Sequence, residues 1–238
     1  MTEAKLTKRD AVKLSVVMPV YNEEDTLAAI IDRVQAVDLE IELICVDDFS
    51  TDGSREILAS KAGMYANMTV LLHPHNMGKG AAVRTGLAQF SGDIVIIQDA
   101  DLEYDPQDYP ALVEPIIAGE QKVVYGSRFL GHRQSMSLGH ALGNKFLTLA
   151  ANLLYGTALT DMETCYKTIS ADVARRIQLK SPRWGFDPEI TARILKMGYR
   201  IQEVPISYEG RAFFAGKKIS WKDGFTVLST LIRCRFSD

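Results

Sequence analysis

Apolar residues along this chain fall into two alternating rhythms. Short β-branched runs alternate with stretches whose apolar positions recur every three or four residues. Leu14 to Met18, closed by Pro19, predicts a strand. Thr26 to Val37 carries Leu27, Ile30, Ile31 and Val34 at helical spacing. Ile41 to Val46 predicts a second strand, and Ser54 to Ala66 a helix entered through the turn Asp52-Gly53. Strand Thr69 to Leu72, helix Gly80 to Phe90, strand Asp93 to Gln98, helix Pro106 to Ala118 and strand Lys122 to Tyr125 continue the alternation. Strands alternating with helices predict crossover units and a mainly parallel, Rossmann-like α/β sheet.

After Gly126 the rhythm changes. Leu138 to Leu154 predicts a long helix, with Leu142, Phe146, Leu149 and Leu153 on one stripe. Lys167 to Ile169 predicts a short strand and Ala171 to Ile177 a helix; Glu189 to Met197 follows as a helix, Arg200 to Ile206 as a strand and Trp221 to Arg233 as a last helix. The last helix joins Trp221, Phe225, Val227, Leu228, Leu231 and Ile232 to the nearby bases Lys222, Arg233 and Arg235. Both long C-terminal helices suit either a membrane surface or packing on the sheet, the commoner fate. No apolar run approaches the ~20 residues of a membrane span. The polar stretch Met1 to Ala11 predicts a loose tail without a signal-peptide pattern. Residues 12–238 read as one domain, with a nucleotide-binding half, 12–127, and an acceptor-side half, 128–238.

Composition narrows the partners. With 238 residues, 47% of them hydrophobic, the chain can bury one sizeable core. A net charge of −3 argues against a general nucleic-acid binder. Cys45, Cys165 and Cys234 are far apart and lack metal-ligand spacing, which predicts a reducing, cytoplasmic setting.

The strongest chemical signal is Gln98-Asp99-Ala100-Asp101, directly after the apolar run Ile94 to Ile97. An Asp-x-Asp pair past a strand's C-terminal end puts hard oxygen ligands where an open α/β sheet binds its ligand. Two neighbouring carboxylates repel unless a cation sits between them, so Mg²⁺ or Mn²⁺ bridging to a diphosphate is expected, with Glu103 as a third oxygen ligand. Asp47 and Asp48 end the second strand, and Asp47 suits hydrogen bonds to a base or ribose. Tyr21 suits stacking on the base. Asp48 is expected beside Asp47 as a donor contact; the other reading makes Asp48, Ser50 and Asp52 turn and cap builders, and for Asp52 the two readings weigh equally. Asn76-Met77-Gly78-Lys79-Gly80 precedes a helix without P-loop or dinucleotide-fingerprint spacing; Lys79 reads either as a phosphate contact or as part of a plain turn.

Taken in order, Val17-Met18-Pro19-Val20-Tyr21-Asn22-Glu23, Val46-Asp47-Asp48-Phe49-Ser50-Thr51-Asp52-Gly53, Asn76-Met77-Gly78-Lys79-Gly80, Asp99-Ala100-Asp101, Gly126-Ser127-Arg128 and Glu203-Val204-Pro205-Ile206 resemble the family 2 inverting glycosyltransferases of GT-A fold. Within these, the chain resembles the polyprenyl-phosphate (dolichol-phosphate) sugar synthases. The resemblance implies that Pro19, Tyr21, Glu23 and Asp47 line a nucleoside pocket and that Asp99 and Asp101 hold the metal, Glu103 standing where these synthases often carry Gln. It implies that Arg128 approaches the phosphates and that Arg211 and Lys217 belong to a late basic loop closing over donor and acceptor. Arg128, Arg211, Lys217, Lys218 and Arg133 would offset repulsion between two phosphorylated substrates.

The implied reaction moves a hexose, mannose by the family's leaning, from a GDP- or UDP-sugar to a polyprenyl phosphate at a membrane surface. The protein would then be peripheral or held by a separate anchoring subunit. Asp161-Met162-Glu163-Thr164-Cys165-Tyr166-Lys167 departs from the mannosyl members. A phosphate acceptor, dianionic above a second pKa of ~6, needs no catalytic base. A sugar or glycan hydroxyl acceptor does, and Asp187 would supply it, although Asp187 before Pro188 reads more readily as a helix cap, with Glu189 orienting basic groups. A catalytically idle nucleotide-sugar-binding subunit and a nucleotidyltransferase are the remaining readings.

Overall fold

The β-branched runs become strands of one seven-stranded sheet ordered β3-β2-β1-β4-β7-β5-β8. The computed structural model describes residues 12–131, 133–134, 136–183, 185–210 and 223–237. The strands are β1 (Lys13–Val20), β2 (Glu40–Asp47), β3 (Met68–Leu72), β4 (Ile94–Ile97), β5 (Val123–Ser127), β7 (Lys167–Ser170) and β8 (Gln202–Pro205). Two short strands, β6 (Arg133–Gln134) and β9 (Tyr208–Glu209), pair separately. β7 runs antiparallel to both its neighbours, β4 and β5, while the other sheet pairs are parallel. Helices α1 (Leu27–Gln35), α2 (Ser54–Met64), α3 (Lys79–Leu87) and α4 (Tyr109–Ile117) make the early crossovers. Later come α5 (Leu138–Tyr155), α6 (Ala171–Ala174), α7 (Phe186–Lys196) and α8 (Asp223–Phe236). β4 is buried on both faces, which is why its sequence is uninterrupted Ile-Val-Ile-Ile. The mainly parallel α/β architecture matches the expectation from the alternating pattern.

Several boundaries differ from the sequence reading. β1 continues through Pro19 to Val20, because β4 pairs with β1 only as far as Val17. The missing proline N–H therefore interrupts no ladder on that side. α7 begins at Phe186 instead of Glu189: Pro188 suits a first helical turn, and Phe186 is buried in the core. α6 stops after a single turn at Ala174.

The two C-terminal helices part ways. α8 turns Val227, Leu231 and Cys234 inward, and a second small core joins Val227 and Leu231 to Ala151, Leu159 and Met162. α5 buries only Thr148 and Ala151, and its apolar stripe faces outward, with Leu138 83% and Leu153 77% exposed. Among the described residues, no helix is long and apolar enough to cross a membrane.

Candidate active site

Parallel strands place their C-terminal ends on one edge. β1, β2 and β4 deliver there Tyr21, Asp48 and the segment Gln98 to Asp101. β7 runs the other way, so its first residue, Lys167, arrives at the same edge beside Tyr125 of β5. Arg128 follows β5 directly. The edge thus gathers charge from both halves of the chain.

One wall consists of the loops after β1 and β2, clasped by reciprocal hydrogen bonds. The Asn22 amide donates to Ser50 Oγ at 3.0 Å, and the Thr51 amide donates to Asn22 Oδ1 at 2.8 Å. Glu23 donates its amide to Ser54 Oγ, Glu24 its amide to Asp52 Oδ2, and Gly53 its amide to Glu24 Oε2. Asp52 is therefore a turn builder, one of the two readings it allowed. Asn22 (φ 52°) and Phe49 (φ 68°) are the non-glycine residues with left-handed backbone among the described residues, and both lie in this wall. Such strain persists only where surrounding bonds fix it. Buried Asp47 accepts Arg55 Nε at 2.7 Å and the Ser50 amide, and Arg55 covers the Phe49 ring at 5.2 Å. Asp47 thus lies behind the wall, held by Arg55. Tyr21 and Pro19 are half-buried at the same edge.

Asp48 has a different task from the donor contact expected of it. Its Oδ1 accepts the Met77 amide and its Oδ2 the Gly78 amide, each at 2.7 Å. His73 Nδ1 lies 2.8 Å from Oδ1, and His73 Nε2 lies 2.9 Å from Thr85 Oγ1. With both oxygens occupied, Asp48 shapes the loop that leads into α3. Gly78 has φ 93°, and a Cβ on Gly80 would stand 2.3 Å from the Ser181 carbonyl oxygen. Glu189 secures that opposing segment by accepting the Ser181 amide at 2.6 Å and the Lys180 amide. The result is a fixed position for Lys79, whose Nζ lies 2.7 Å from Asp99 Oδ1.

The Lys79–Asp99 pair is the electrostatic centre of the edge. Burial alone would lower the Lys79 ammonium and raise the Asp99 carboxyl. Their mutual attraction outweighs it, holding Lys79 well above its ordinary value and Asp99 below. Beside them, the Glu103 amide donates to Asp101 Oδ1 at 3.1 Å, and Thr26 Oγ1 donates to the Ala100 carbonyl at 3.0 Å. Glu103, expected as a third metal ligand, instead accepts the Tyr208 hydroxyl at 2.8 Å. Among the described residues no three His, Cys, Asp or Glu side chains converge as a metal cage. Asp99 and Asp101 nonetheless fit Mg²⁺ or Mn²⁺, which is commonly held by one or two carboxylates plus substrate phosphates.

Arg128 also departs from expectation. Its Nε and Nη2 grip Asp161 Oδ2 and Oδ1, both at 2.7 Å, and its amide adds a third bond at 3.0 Å. Glu203 orients Asp161 by accepting the Asp161 and Thr160 amides. The buried guanidinium lies over the Tyr208 ring at 5.4 Å. This fork braces the acceptor-side loop, so the guanidinium expected at the phosphates is held by an internal partner.

A third ion pair completes the edge. Buried Lys167 donates to Asp187 Oδ1 at 2.7 Å and to the Thr164 carbonyl. Asp187 does not cap α7; Gly185 occupies that position, and Asp187 sits in the first turn facing Lys167. Sequence reasoning gave no site role to Lys167, Asp161, Glu163 or His73. A lysine opening an apolar strand was the available signal for Lys167, because a buried ammonium requires a partner. Arg211, Lys217, Lys218, Trp221 and Lys222 lie outside the described residues, as does the side chain of Arg133.

Comparison with known proteins bears on the family and the fold. Residues 15–177 match the profile of Glycosyl transferase family 2. The chain is 30% identical over 221 residues to a low-salt glycan biosynthesis hexosyltransferase of Haloferax volcanii, an alignment covering 90% of this chain and 52% of that protein. It is 28% identical over 217 residues to a dolichyl-phosphate β-glucosyltransferase of Trichomonas vaginalis, covering 83% of this chain and 66% of that one. It therefore spans only part of each relative. Glucosyl-3-phosphoglycerate synthase of Mycobacterium tuberculosis, solved with UDP, superposes with a TM-score of 0.74 at 24% identity over 100% of this chain and 86% of that one. The same enzyme solved with Mn²⁺, UDP-glucose and phosphoglyceric acid gives 0.73 at 25% identity, over 99% and 83%.

Proposed function

Because the chain belongs to glycosyl transferase family 2, we propose that it transfers a hexose, with inversion, from a nucleoside diphosphate-hexose to a polyprenyl phosphate at a membrane surface. The observation that carries this reading is the Lys79–Asp99 pair, 2.7 Å apart, at the C-terminal edge of β4 with Asp101 two residues on. A preset cation–carboxylate pair at a parallel sheet's ligand edge suits a diphosphate and its metal. Bound by Asp99 and Asp101, Mg²⁺ or Mn²⁺ would neutralise the departing diphosphate. Lys79 would sit against the phosphates, and Tyr21, Pro19 and Glu23 beside the nucleoside. Residues 12–127 would thus hold the donor and 128–238 the acceptor.

UDP-glucose replaces GDP-mannose as the first donor to test. The named relative is a glucosyltransferase, and the superposed synthase was solved with UDP-glucose. Two features support a lipid acceptor. The exposed stripe Leu138, Leu142, Phe146, Leu149 and Leu153 lies on a helix with no acidic residue. The named relative's acceptor is dolichyl phosphate. Such a face suits anionic lipid and a cytoplasmic, peripheral attachment, with or without an anchoring subunit. A hydroxyl acceptor is the second reading; it would rely on Asp187, whose Oδ1 is already bound by Lys167.

The test is transfer of labelled hexose from UDP-glucose, UDP-N-acetylglucosamine or GDP-mannose, with Mn²⁺, to a polyprenyl phosphate followed by organic extraction. Label in an acid-labile lipid phosphate supports the reading. Label found only on a soluble glycan, or nowhere with any donor, rejects it.

A further inference from the structure

We propose that Glu163 recognises the acceptor's phosphate, donating a hydrogen bond from its carboxylic acid to a phosphate oxygen. The inference rests on the phosphate-acceptor reading above and names the residue that would enforce it. Three acids at this edge each have a cation: Asp99 has Lys79, Asp161 has Arg128, and Asp187 has Lys167. Glu163 is a further acid here, with no ion pair among the described residues. It stands in the turn between the Asp161 fork and Lys167, and its Oε1 is buried without a hydrogen-bond partner among the described residues. A buried polar atom left unpaired is costly, which points to a ligand that completes it.

The place suits an acceptor. Two residues further on, Cys165 Sγ lies 3.5 Å from the Ile97 carbonyl, at the end of the strand that presents Asp99. Asp187 acts on Lys79, and Lys167 acts on Asp99, so the two ion pairs lie close to one another at this edge. Glu163 faces Asp187 from α7, Lys167 from β7, Arg128 after β5, and Asp161 on its own loop. Burial first, then the Asp187 and Asp161 charges, push its carboxyl up to about 8 against the pull of Lys167 and Arg128. Below that pH the group is a neutral acid, a donor. A phosphate monoester, largely dianionic above ~6, is an acceptor. An ionised Glu163 would instead repel it. A neutral acid is also no general base, which agrees with an acceptor that carries no proton to remove.

The experiment uses the full chain with Mn²⁺, UDP-hexose and farnesyl phosphate as the acceptor probe, read as acceptor KM and kcat from pH 6.5 to 9.5. In the wild type, acceptor KM is flat to about pH 7.5 and about tenfold higher by pH 9, where one-tenth of a group titrating at about 8 keeps its proton. Glu163→Gln keeps an N–H donor at every pH and abolishes that rise. Glu163→Leu has no donor and raises KM already at pH 7, by about tenfold or more, the scale of a lost charge-assisted bond. Thermal stabilisation by UDP, retained in both variants, certifies the fold. A Glu163→Gln profile like the wild type's overturns the proposal, as does Glu163→Leu with unchanged KM. A large kcat loss in Glu163→Gln at unchanged KM overturns it in favour of a base. Failure of the wild type itself to use farnesyl or longer polyprenyl phosphates overturns the functional reading first, before any variant is compared.

Discussion

Asp161→Asn tests whether Arg128 is an internal brace. The substitution keeps side-chain volume but removes the only negative charge in the fork, leaving a buried guanidinium that has lost both of its 2.7 Å contacts to a carboxylate. Removing one partner of a buried pair costs about 3–5 kcal/mol, because the remaining charge stays desolvated. Against a typical total of about 5–15 kcal/mol this is a large fraction. For a chain of this length, about 2–4 °C of melting temperature accompanies each kcal/mol, so a fall of about 6–20 °C is expected. Calorimetry and urea titration measure it, with the midpoint moving and the slope unchanged. The double variant Arg128→Met with Asp161→Leu removes both charges and recovers most of the loss, because an apolar replacement leaves nothing uncompensated. An Asp161→Asn protein within about 1 kcal/mol of wild type would refute the reasoning, since such small effects mark exposed pairs. Arg128 would then be available to a phosphate after all.

Asp99→Asn abolishes the Mn²⁺-dependent part of UDP-glucose stabilisation in thermal shift; at a hundredfold excess over Kd the wild type gains about 2.7 kcal/mol, or roughly 5–11 °C, and an equal gain in the variant would remove Asp99 from the donor site. Gly80→Ala places a Cβ 2.3 Å from the Ser181 carbonyl oxygen, costs about 1–3 kcal/mol and raises donor KM by displacing Lys79. Gly143→Ala, with nothing within 4 Å and in the middle of α5, instead stabilises by about 0.5–1 kcal/mol, and urea midpoints of the two variants moving the same way would contradict the packing described. Glu42 is raised by burial but pulled further down by Ser15, Ser91 and Lys13, from its usual 4.5 to about 2. A depressed folded value stabilises above the unfolded value and is lost as pH falls, so wild type loses stability between about pH 4.5 and 2 in a step that Glu42→Gln lacks when the two melting profiles are compared. Phe146→Glu with Leu149→Glu weakens flotation with anionic vesicles while leaving the melting temperature within a few degrees, because both side chains are exposed; unchanged flotation would remove α5 as a docking face.

The alternating pattern alone determined the α/β class and the position of Asp99 and Asp101, because a parallel strand must bury both faces and its C-terminal end must meet the ligand crevice. Local turn chemistry was legible too: Asp52 builds a turn, one of its two readings, and the bonds it makes are short-range. Partner choice was not legible. Arg128 reads as a phosphate contact, and nothing near it in sequence announces the Asp161 carboxylate, thirty-three residues away, that closes on it. Asp48 reads as a donor contact until the Met77 and Gly78 amides occupy both its oxygens. Lys167 stayed hidden because the direction of β7 cannot be taken from its residues; only its antiparallel insertion between β4 and β5 carries that ammonium to the edge where Asp99 stands. The stripe on α5 has the same periodicity whether it is covered or bare, and the packing of α8 beside it left it bare. Periodicity is a property of neighbours in sequence, whereas charge pairing and burial depend on contacts that exist only after the chain has closed on itself.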